Sequence, residues 1–106
     1  MALTVFWTDF AKSELRGIFD YYKQKAGIKI AHKLVESIVK ETEKLCCQPL
    51  IGQKEELLGD RLEGFRYLVC KNHKIIYWVN NNKDRIEIAD IFDTRQDPSK
   101  IINRQE

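Results

Sequence analysis

The sequence has little proline, glycine and cysteine, and it has no long uninterrupted hydrophobic run. Its 106 residues include two prolines, five glycines and three cysteines. No segment approaches the roughly 18 consecutive apolar residues that a membrane-spanning helix requires, so we expect no membrane partner. The stretch from Met1 to Asp9 shows neither a basic leader nor a small-residue cleavage site, which predicts a cytoplasmic location.

The three cysteines, Cys46, Cys47 and Cys70, are odd in number and lack the spacing of a metal site. Adjacent cysteines rarely form a disulfide with each other, because the trans peptide between them directs their side chains apart. Without a secretory context, all three are expected to stay reduced and to pack as small apolar residues. We therefore predict no bound metal, no cofactor and no redox role.

The net charge of +2 does not by itself indicate a nucleic-acid-binding protein, but the charge is unevenly distributed. Residues 1–60 carry nine Lys or Arg and nine Asp or Glu, which balance. Residues 61–85 carry six cations and two anions, a local charge of +4, and residues 86–106 carry −2. The basic excess of residues 61–85 is suited to attracting an anionic partner.

Two helices are predicted from apolar side chains that recur every three or four residues. The first begins after Thr8 or Asp9, either of which can cap it, and ends at Gly27, which tolerates a left-handed backbone. The second covers 28–46, and so short a connection makes the pair an antiparallel hairpin. The apolar stripes are Ala11, Leu15, Ile18, Tyr22 and Ala26 in the first helix and Ala31, Leu34, Val35, Ile38, Thr42 and Leu45 in the second.

Four strands are predicted from short runs of β-branched and aromatic residues. These runs are 3–7, 65–70, 74–79 and 85–92. The short polar connections at 71–73 and 80–84 imply antiparallel pairing of the last three strands. A longer, charged connection at 47–63, marked by Pro49 and Gly52, separates the second helix from these strands.

The length and the element order together predict the fold class. A chain of 106 residues, 43% hydrophobic and 32% charged, has the size and composition of one soluble domain covering 1–106. Neither helix can bury its apolar stripe alone, so the hairpin is expected to pack across one face of the sheet. The prediction is a two-layer α+β domain in the order β-α-α-β-β-β, with a four-stranded, mainly antiparallel sheet.

Cationic side chains are set into and beside the last three strands. Arg66 and Lys74 lie within predicted strands, and Arg95 follows the third. One cation in a strand is typical of a solvated face or a protected edge, whereas three brought together by a meander indicate an anion-facing surface. The candidate target-binding residues are Arg61, Arg66, Lys71, His73, Lys74 and Arg95.

Two of these candidates have alternative explanations. His73 lies in the predicted hairpin turn, where a histidine is usually only solvated. Asp93 and Asp97 are spaced to pair with Arg95, which would make this arginine structural. A functional and a structural role for Arg95 both stay open.

The combined order and spacing resemble the RelE/ParE superfamily of type II toxins. The similarity is carried by Gly64-Phe65-Arg66-Tyr67, Lys74-Ile75-Ile76-Tyr77, Ile88-Ala89-Asp90-Ile91-Phe92-Asp93-Thr94-Arg95-Gln96-Asp97-Pro98 and the N-terminal Trp7-Thr8-Asp9-Phe10-Ala11. It extends over nearly the whole chain. The resemblance implies a small cytosolic toxin that is neutralised by a cognate antitoxin protein, with no cofactor and no small-molecule substrate.

The resemblance also implies a choice between two mechanisms. RelE-like proteins cleave messenger RNA on the ribosome, and Arg66, Lys74 and Arg95 would then be catalytic cations. Such proteins place a tyrosine or a His-Tyr pair shortly after the last strand, whereas this chain has no histidine or tyrosine after Tyr77. ParE-like proteins use the same scaffold without nuclease residues and poison DNA gyrase, and this branch is favoured here.

The RelE-like endoribonuclease is the alternative, so whether the chain is an enzyme depends on the branch. A third hypothesis is a non-toxic protein-binding module of the same fold. In that case the cations would pair with an acidic antitoxin segment.

Overall fold

A computed structural model describes residues 3–59 and 61–95, which form two α-helices and five strands. Two short 3-10 helices, Lys44–Cys46 and Glu56–Leu58, lie in the connections. In chain order the main elements are β1 (Thr4–Trp7), α1 (Asp9–Ala26), α2 (Ile28–Glu43), β2 (Gln53–Lys54), β3 (Arg66–Cys70), β4 (His73–Asn80) and β5 (Arg85–Asp93). Within the described ranges, neither helix combines the length and the apolar content needed to cross a membrane.

The sheet has the strand order β1-β5-β4-β3-β2. β1 pairs with β5 in parallel, and the other neighbours are antiparallel. The α+β class is confirmed, but the prediction of four strands was wrong, because Gln53–Lys54 adds a fifth at the edge. Two residues are too few to show the alternation by which a strand is recognised in sequence. This strand depends instead on contacts with distant residues.

The helical hairpin begins after Thr8 and turns at Gly27 as predicted, but α2 ends at Glu43, and residues 44–46 of the predicted helix form a 3-10 helix instead. Thr8 caps α1: its Oγ1 accepts a hydrogen bond from the Ala11 N–H at 3.2 Å and donates one to the Ile88 carbonyl at 2.8 Å. Gly27, with φ of +100°, separates α1 from α2, a backbone conformation that costs glycine little. The cap therefore also attaches the start of α1 to β5.

The sheet carries an apolar cluster on each face. The larger cluster, called the helix-side cluster below, contacts the helical hairpin. It includes Ala11, Leu34, Ile38, Leu45, Ile75, Tyr77, Ile86, Ile88 and Ile91. The second cluster is covered by the Glu56–Leu58 turn and contains Leu58, Phe65, Ile76, Ala89 and Phe92. Both faces of the central strands are therefore protected from solvent, as the burial of Ile75 and Ile76 shows.

A β-bulge in β5 adjusts which side chains face the helices. Tyr77 pairs with Ile88 and Ile76 pairs with Asp90, so Ala89 is the extra residue. Regular alternation would place Ile88 and Ile91 on opposite faces, because they are three residues apart. The bulge lets both enter the helix-side cluster, and it thereby extends the buried surface of β5.

Gly52 lies where a chain segment passes very close to the sheet. Its N–H donates a hydrogen bond to the Tyr77 hydroxyl at 2.9 Å, and that hydroxyl donates to the Pro49 carbonyl at 2.8 Å. A Cβ atom at position 52 would lie 2.6 Å from the Tyr77 oxygen and 2.7 Å from the Tyr67 carbonyl. Glycine is therefore required here by contact distance.

We predict that Gly52→Ala destabilises the protein by about 1–3 kcal/mol, since the added methyl group forces the connection away from Tyr77. Gly17→Ala is the matched control, because Gly17 lies inside α1 and a Cβ there meets no atom within 4 Å. It should raise the free energy of unfolding by about 0.5–1 kcal/mol. Urea denaturation measures both, and equal stability of the two variants would contradict the prediction.

Candidate functional site

Arg66, at the start of β3, binds the connection that precedes it. Its Nη1 donates hydrogen bonds to the Gly52 carbonyl at 2.8 Å and to the Leu50 carbonyl at 3.4 Å. These partners are neutral, so the contacts position the guanidinium without cancelling its charge. Arg66 thus helps to hold the segment from Pro49 to Gly52, which also bonds to Tyr77, and it still contributes positive potential to the surface.

Lys74, in β4, is held by an acidic partner. Its Nζ lies 3.0 Å from Glu55 Oε2 and 4.2 Å from the centroid of the Tyr67 ring. The Glu55 side chain is only 3% exposed, so the ion pair is partly buried. Lys74 therefore neutralises a buried carboxylate, on the face of the sheet that also holds Tyr67 and the second apolar cluster.

Arg95 follows β5 and forms the local ion pair with Asp93 that the sequence allowed. Its Nε and Nη2 atoms lie 3.1 Å and 2.8 Å from the two carboxylate oxygens, and Nη2 also donates to the Tyr22 hydroxyl at 3.2 Å. The hydrogen bond from Arg95 lowers the pKa of Asp93. Asp97, the other predicted partner, lies outside the described residues.

His73 does not lie in a turn, and the expectation of a solvated histidine was wrong. The turn consists of Lys71 and Asn72 alone, with Lys71 at a φ of +56°. Such a left-handed residue permits a tighter connection, so Cys70 pairs directly with His73. His73 is therefore the first residue of β4, and only 2% of it is exposed.

The His73 ring lies between two surface cavities that share the Tyr22 side chain. One cavity, of about 360 Å³, is bordered by Asp93 and Arg95, and the other, of about 240 Å³, by Lys33 and Lys71. Among the described residues, His73 Nδ1 has no hydrogen-bond partner. Burial lowers the pKa of His73, which Asp93 partly offsets and Arg95 reinforces. The imidazole is thus held neutral beside a charged surface.

Tyr22 was expected only as part of the apolar stripe of the first helix. Its ring packs against the core and lies roughly perpendicular to the His73 ring at a centroid distance of 6.3 Å, while its hydroxyl accepts a hydrogen bond from Arg95. A tyrosine on an apolar stripe carries a polar group that needs a partner when buried. The need of the Tyr22 hydroxyl for a hydrogen-bond partner was the signal in the sequence that Tyr22 contributes to the site.

Five of the six candidate residues divide into two groups, and Lys74 lies apart from both, against Glu55 and Tyr67. Lys71, His73 and Arg95 lie together, because the Thr94 N–H binds the Asn72 carbonyl at 2.9 Å and joins the turn to the end of β5. Arg61 and Arg66 lie nearer the other end of β3, where the Arg61 N–H donates to the Leu58 carbonyl at 3.0 Å. Within residues 3–59 and 61–95, the contacts of Arg66, Lys74 and Arg95 have no partner in common.

A metal site is not apparent in the part of the chain that the structure describes. Within residues 3–59 and 61–95, no three His, Cys, Asp or Glu side chains are grouped so as to hold an ion. The titratable and charged groups at the larger cavity include the carboxylates of Glu14 and Asp93, the Arg95 guanidinium and the His73 imidazole.

The helical hairpin covers one face of a sheet whose first strand pairs in parallel with β5. Residues 5–98 match the family model described as the ParE toxin of type II toxin-antitoxin systems, parDE, so the chain belongs to this family. It is the toxin component of such a system. No curated protein sequence matches the chain.

Two solved structures show the same fold. The chromosomal ParDE toxin-antitoxin system from P. aeruginosa has a TM-score of 0.72 and 23% identity, with 87% of this chain and 96% of that chain covered. The toxin-antitoxin complex RelBE2 from Mycobacterium tuberculosis has a TM-score of 0.63 and 16% identity, with 88% and 99% covered. At these identities the similarity concerns the fold.

We predict that His73 makes stability fall as the pH drops below the ordinary histidine pKa of 6.5. The unfolded chain binds a proton there, while the buried imidazole resists protonation. The stability contributed by neutral His73 is therefore complete above pH 6.5 and is lost between 6.5 and the lower pKa of the folded state. The loss amounts to about 1.4 kcal/mol for each unit of pKa difference.

Urea denaturation at several pH values measures this loss. His73→Phe keeps an aromatic ring in the same place and removes the titrating group, so its stability should vary less over this range. Identical pH dependence in the native chain and the variant would contradict the prediction. The His73 ring-proton NMR shift gives the pKa independently.

Proposed function

We propose that this toxin acts in the cytoplasm by inhibiting DNA gyrase and that a cognate antitoxin neutralises it. The proposal rests on the observation that Arg66, Lys74 and Arg95 each contact different partners. Lys74 pairs with Glu55, Arg95 pairs with Asp93, and Arg66 binds backbone carbonyls. Each cation is held by a different part of the fold.

This arrangement supports the branch of the superfamily that lacks nuclease activity. Cleavage of a phosphodiester needs cations that converge on one phosphate and groups that transfer protons beside them. Lys74 shares its face of the sheet with Tyr67, whereas Arg95 contacts α1 on the helix side. Each cation is engaged by its own carboxylate on its own side of the sheet, which supports a surface without a shared phosphate site.

For target binding, we propose the six residues Arg61, Arg66, Lys71, His73, Lys74 and Arg95. Lys71 is exposed in its turn, and Arg66 donates to neutral backbone carbonyls of the described chain, so both contribute to the positive potential. His73 contributes as the buried boundary of the two cavities. Both similar structures are described as toxin-antitoxin assemblies, which supports the antitoxin as the strongest partner of this chain.

A ribosome-dependent endoribonuclease is the second candidate function. The observation in its favour is the grouping of His73, Tyr22 and Arg95 around one cavity. A neutral imidazole with a free nitrogen has the chemistry of a general base. Its burial and the engagement of Arg95 by Asp93 count against this role. A non-toxic binding module remains the third.

We predict that the purified protein impairs supercoiling by gyrase and leaves ribosome-bound messenger RNA intact. Supercoiling is followed on agarose gels with relaxed plasmid, and cleavage by primer extension on translating ribosomes. Expression of the chain alone should slow bacterial growth, and the protein encoded beside it should restore growth. The heat-denatured protein is the control for both assays.

The outcomes separate the candidates. Codon-positioned cleavage with unaffected gyrase would overturn the proposal in favour of the nuclease. Unimpaired growth at confirmed folded expression, with neither target affected, would favour the binding module.

We further predict that Lys71→Gln weakens gyrase inhibition by up to about fivefold, the equivalent of about 1 kcal/mol for an exposed charge. Lys83→Gln is the matched control. Both lysines are exposed in hairpin turns, and Gln keeps most of the aliphatic stem, but Lys83 lies between β4 and β5. Equal inhibition by the two variants, at equal melting temperature, would remove Lys71 from the target-binding surface.

A further inference from the structure

The adjacent cysteines at the end of the helical hairpin point their sulfur atoms toward each other. Cys46 Sγ and Cys47 Sγ are 3.4 Å apart. Cys47 is exposed and Cys46 is partly exposed, so a small molecule can reach both. The sequence alone predicted side chains that diverge, because a trans peptide usually splays neighbouring cysteines.

The backbone around the pair is fixed by contacts with the rest of the fold. Cys46 ends the 3-10 helix Lys44–Cys46, and its carbonyl accepts a hydrogen bond from the Leu3 N–H at 2.9 Å. Leu45, in the same turn, is fully buried in the helix-side cluster. The two thiols are therefore presented by an anchored turn.

The geometry excludes some thiol chemistry. A disulfide needs Cα atoms at least about 4.4 Å apart, and neighbouring residues are only about 3.8 Å apart, so direct oxidation of the pair is strained. Zinc, with bonds of about 2.3 Å to sulfur, would make an S–Zn–S angle of about 95° here, narrower than tetrahedral. No third His, Cys, Asp or Glu completes a metal site within the described ranges.

We propose that Cys46 and Cys47 form a chelating dithiol site for trivalent arsenicals. Trivalent arsenic keeps a lone pair, so its bonds lie near right angles, which suits two sulfur atoms at this separation. A monosubstituted arsenic oxide condenses with the two thiols. Two S–H bonds and the arsenic–oxygen bond break, two As–S bonds form, and the oxygen leaves as water. No oxidant or reductant is needed.

The electrostatic surroundings favour such a ligand over a divalent metal. The contact with Cys47 raises the pKa of the Cys46 thiol, and burial and Glu43 raise it further. A divalent metal binds thiolates and must displace the Cys46 proton against this shift. The arsenic oxide instead reacts with protonated thiols and removes their protons in the water that it releases.

The test uses phenylarsine oxide with the reduced full-length protein, and intact mass and equilibrium titration as readouts. We expect one arsenical per chain, released by a dithiol and resistant to a monothiol. Cys46→Ser and Cys47→Ser should each weaken binding about 10²–10⁴-fold, since the second bond is no longer intramolecular. Cys70→Ala is the control, because it removes the remaining cysteine, which is buried, and keeps the pair.

Two results would overturn the proposal. One is a serine variant that binds as tightly as the native chain. The other is equal affinity in the folded and the urea-unfolded chain, which would show that adjacency in sequence suffices and that the anchored turn contributes nothing. Melting curves of both serine variants establish that they are folded, and the readout is independent of gyrase inhibition.

Discussion

The arrangement of the connection between α2 and β3 depends on the hydroxyl group of Tyr77. This side chain lies fully buried in the central strand β4, and its oxygen bonds to Gly52 and Pro49 in a connection with little regular structure. Burial raises the pKa of the Tyr77 hydroxyl, so it remains a neutral group able to donate and accept. A lost partner here leaves a buried polar group unsatisfied, at about 1–3 kcal/mol.

The positions of the proposed binding residues follow from that contact. With the Pro49 to Gly52 segment held against the sheet, Gln53–Lys54 reaches β3 and forms the edge strand. Glu55 is then placed to meet Lys74, and the Gly52 carbonyl to meet Arg66. The separation of the strand cations, on which the proposed gyrase inhibition rests, is thus a consequence of how one tyrosine fixes one loop.

The sequence predicts well those features that arise from neighbouring residues. The Thr8 cap, the Gly27 junction and the helical stripe through Ile38 follow from local chemistry, and so does the pairing of Asp93 with Arg95. In each case the interacting groups lie within a few positions of one another.

Features that join distant residues could not be predicted in this way. Glu55 meets Lys74 because Tyr77, Arg66 and the pairing of β2 with β3 fix the connection, and no periodicity in residues 47–63 encodes these contacts. The burial of His73 depends on a left-handed conformation at a single residue, Lys71. The sequence does not reveal this conformation, and it therefore places His73 in the turn. A turn shortened by one residue moves the imidazole from solvent into the sheet.

The parallel pairing of the first strand with the last governs when the fold can be completed. Thr4 pairs with Arg85, and the Thr8 cap of α1 donates to the Ile88 carbonyl. During synthesis the helical hairpin can form early from local contacts, but β1 has no partner until β5 has left the ribosome. The sheet that carries the proposed target-binding residues is therefore completed later than the helical hairpin.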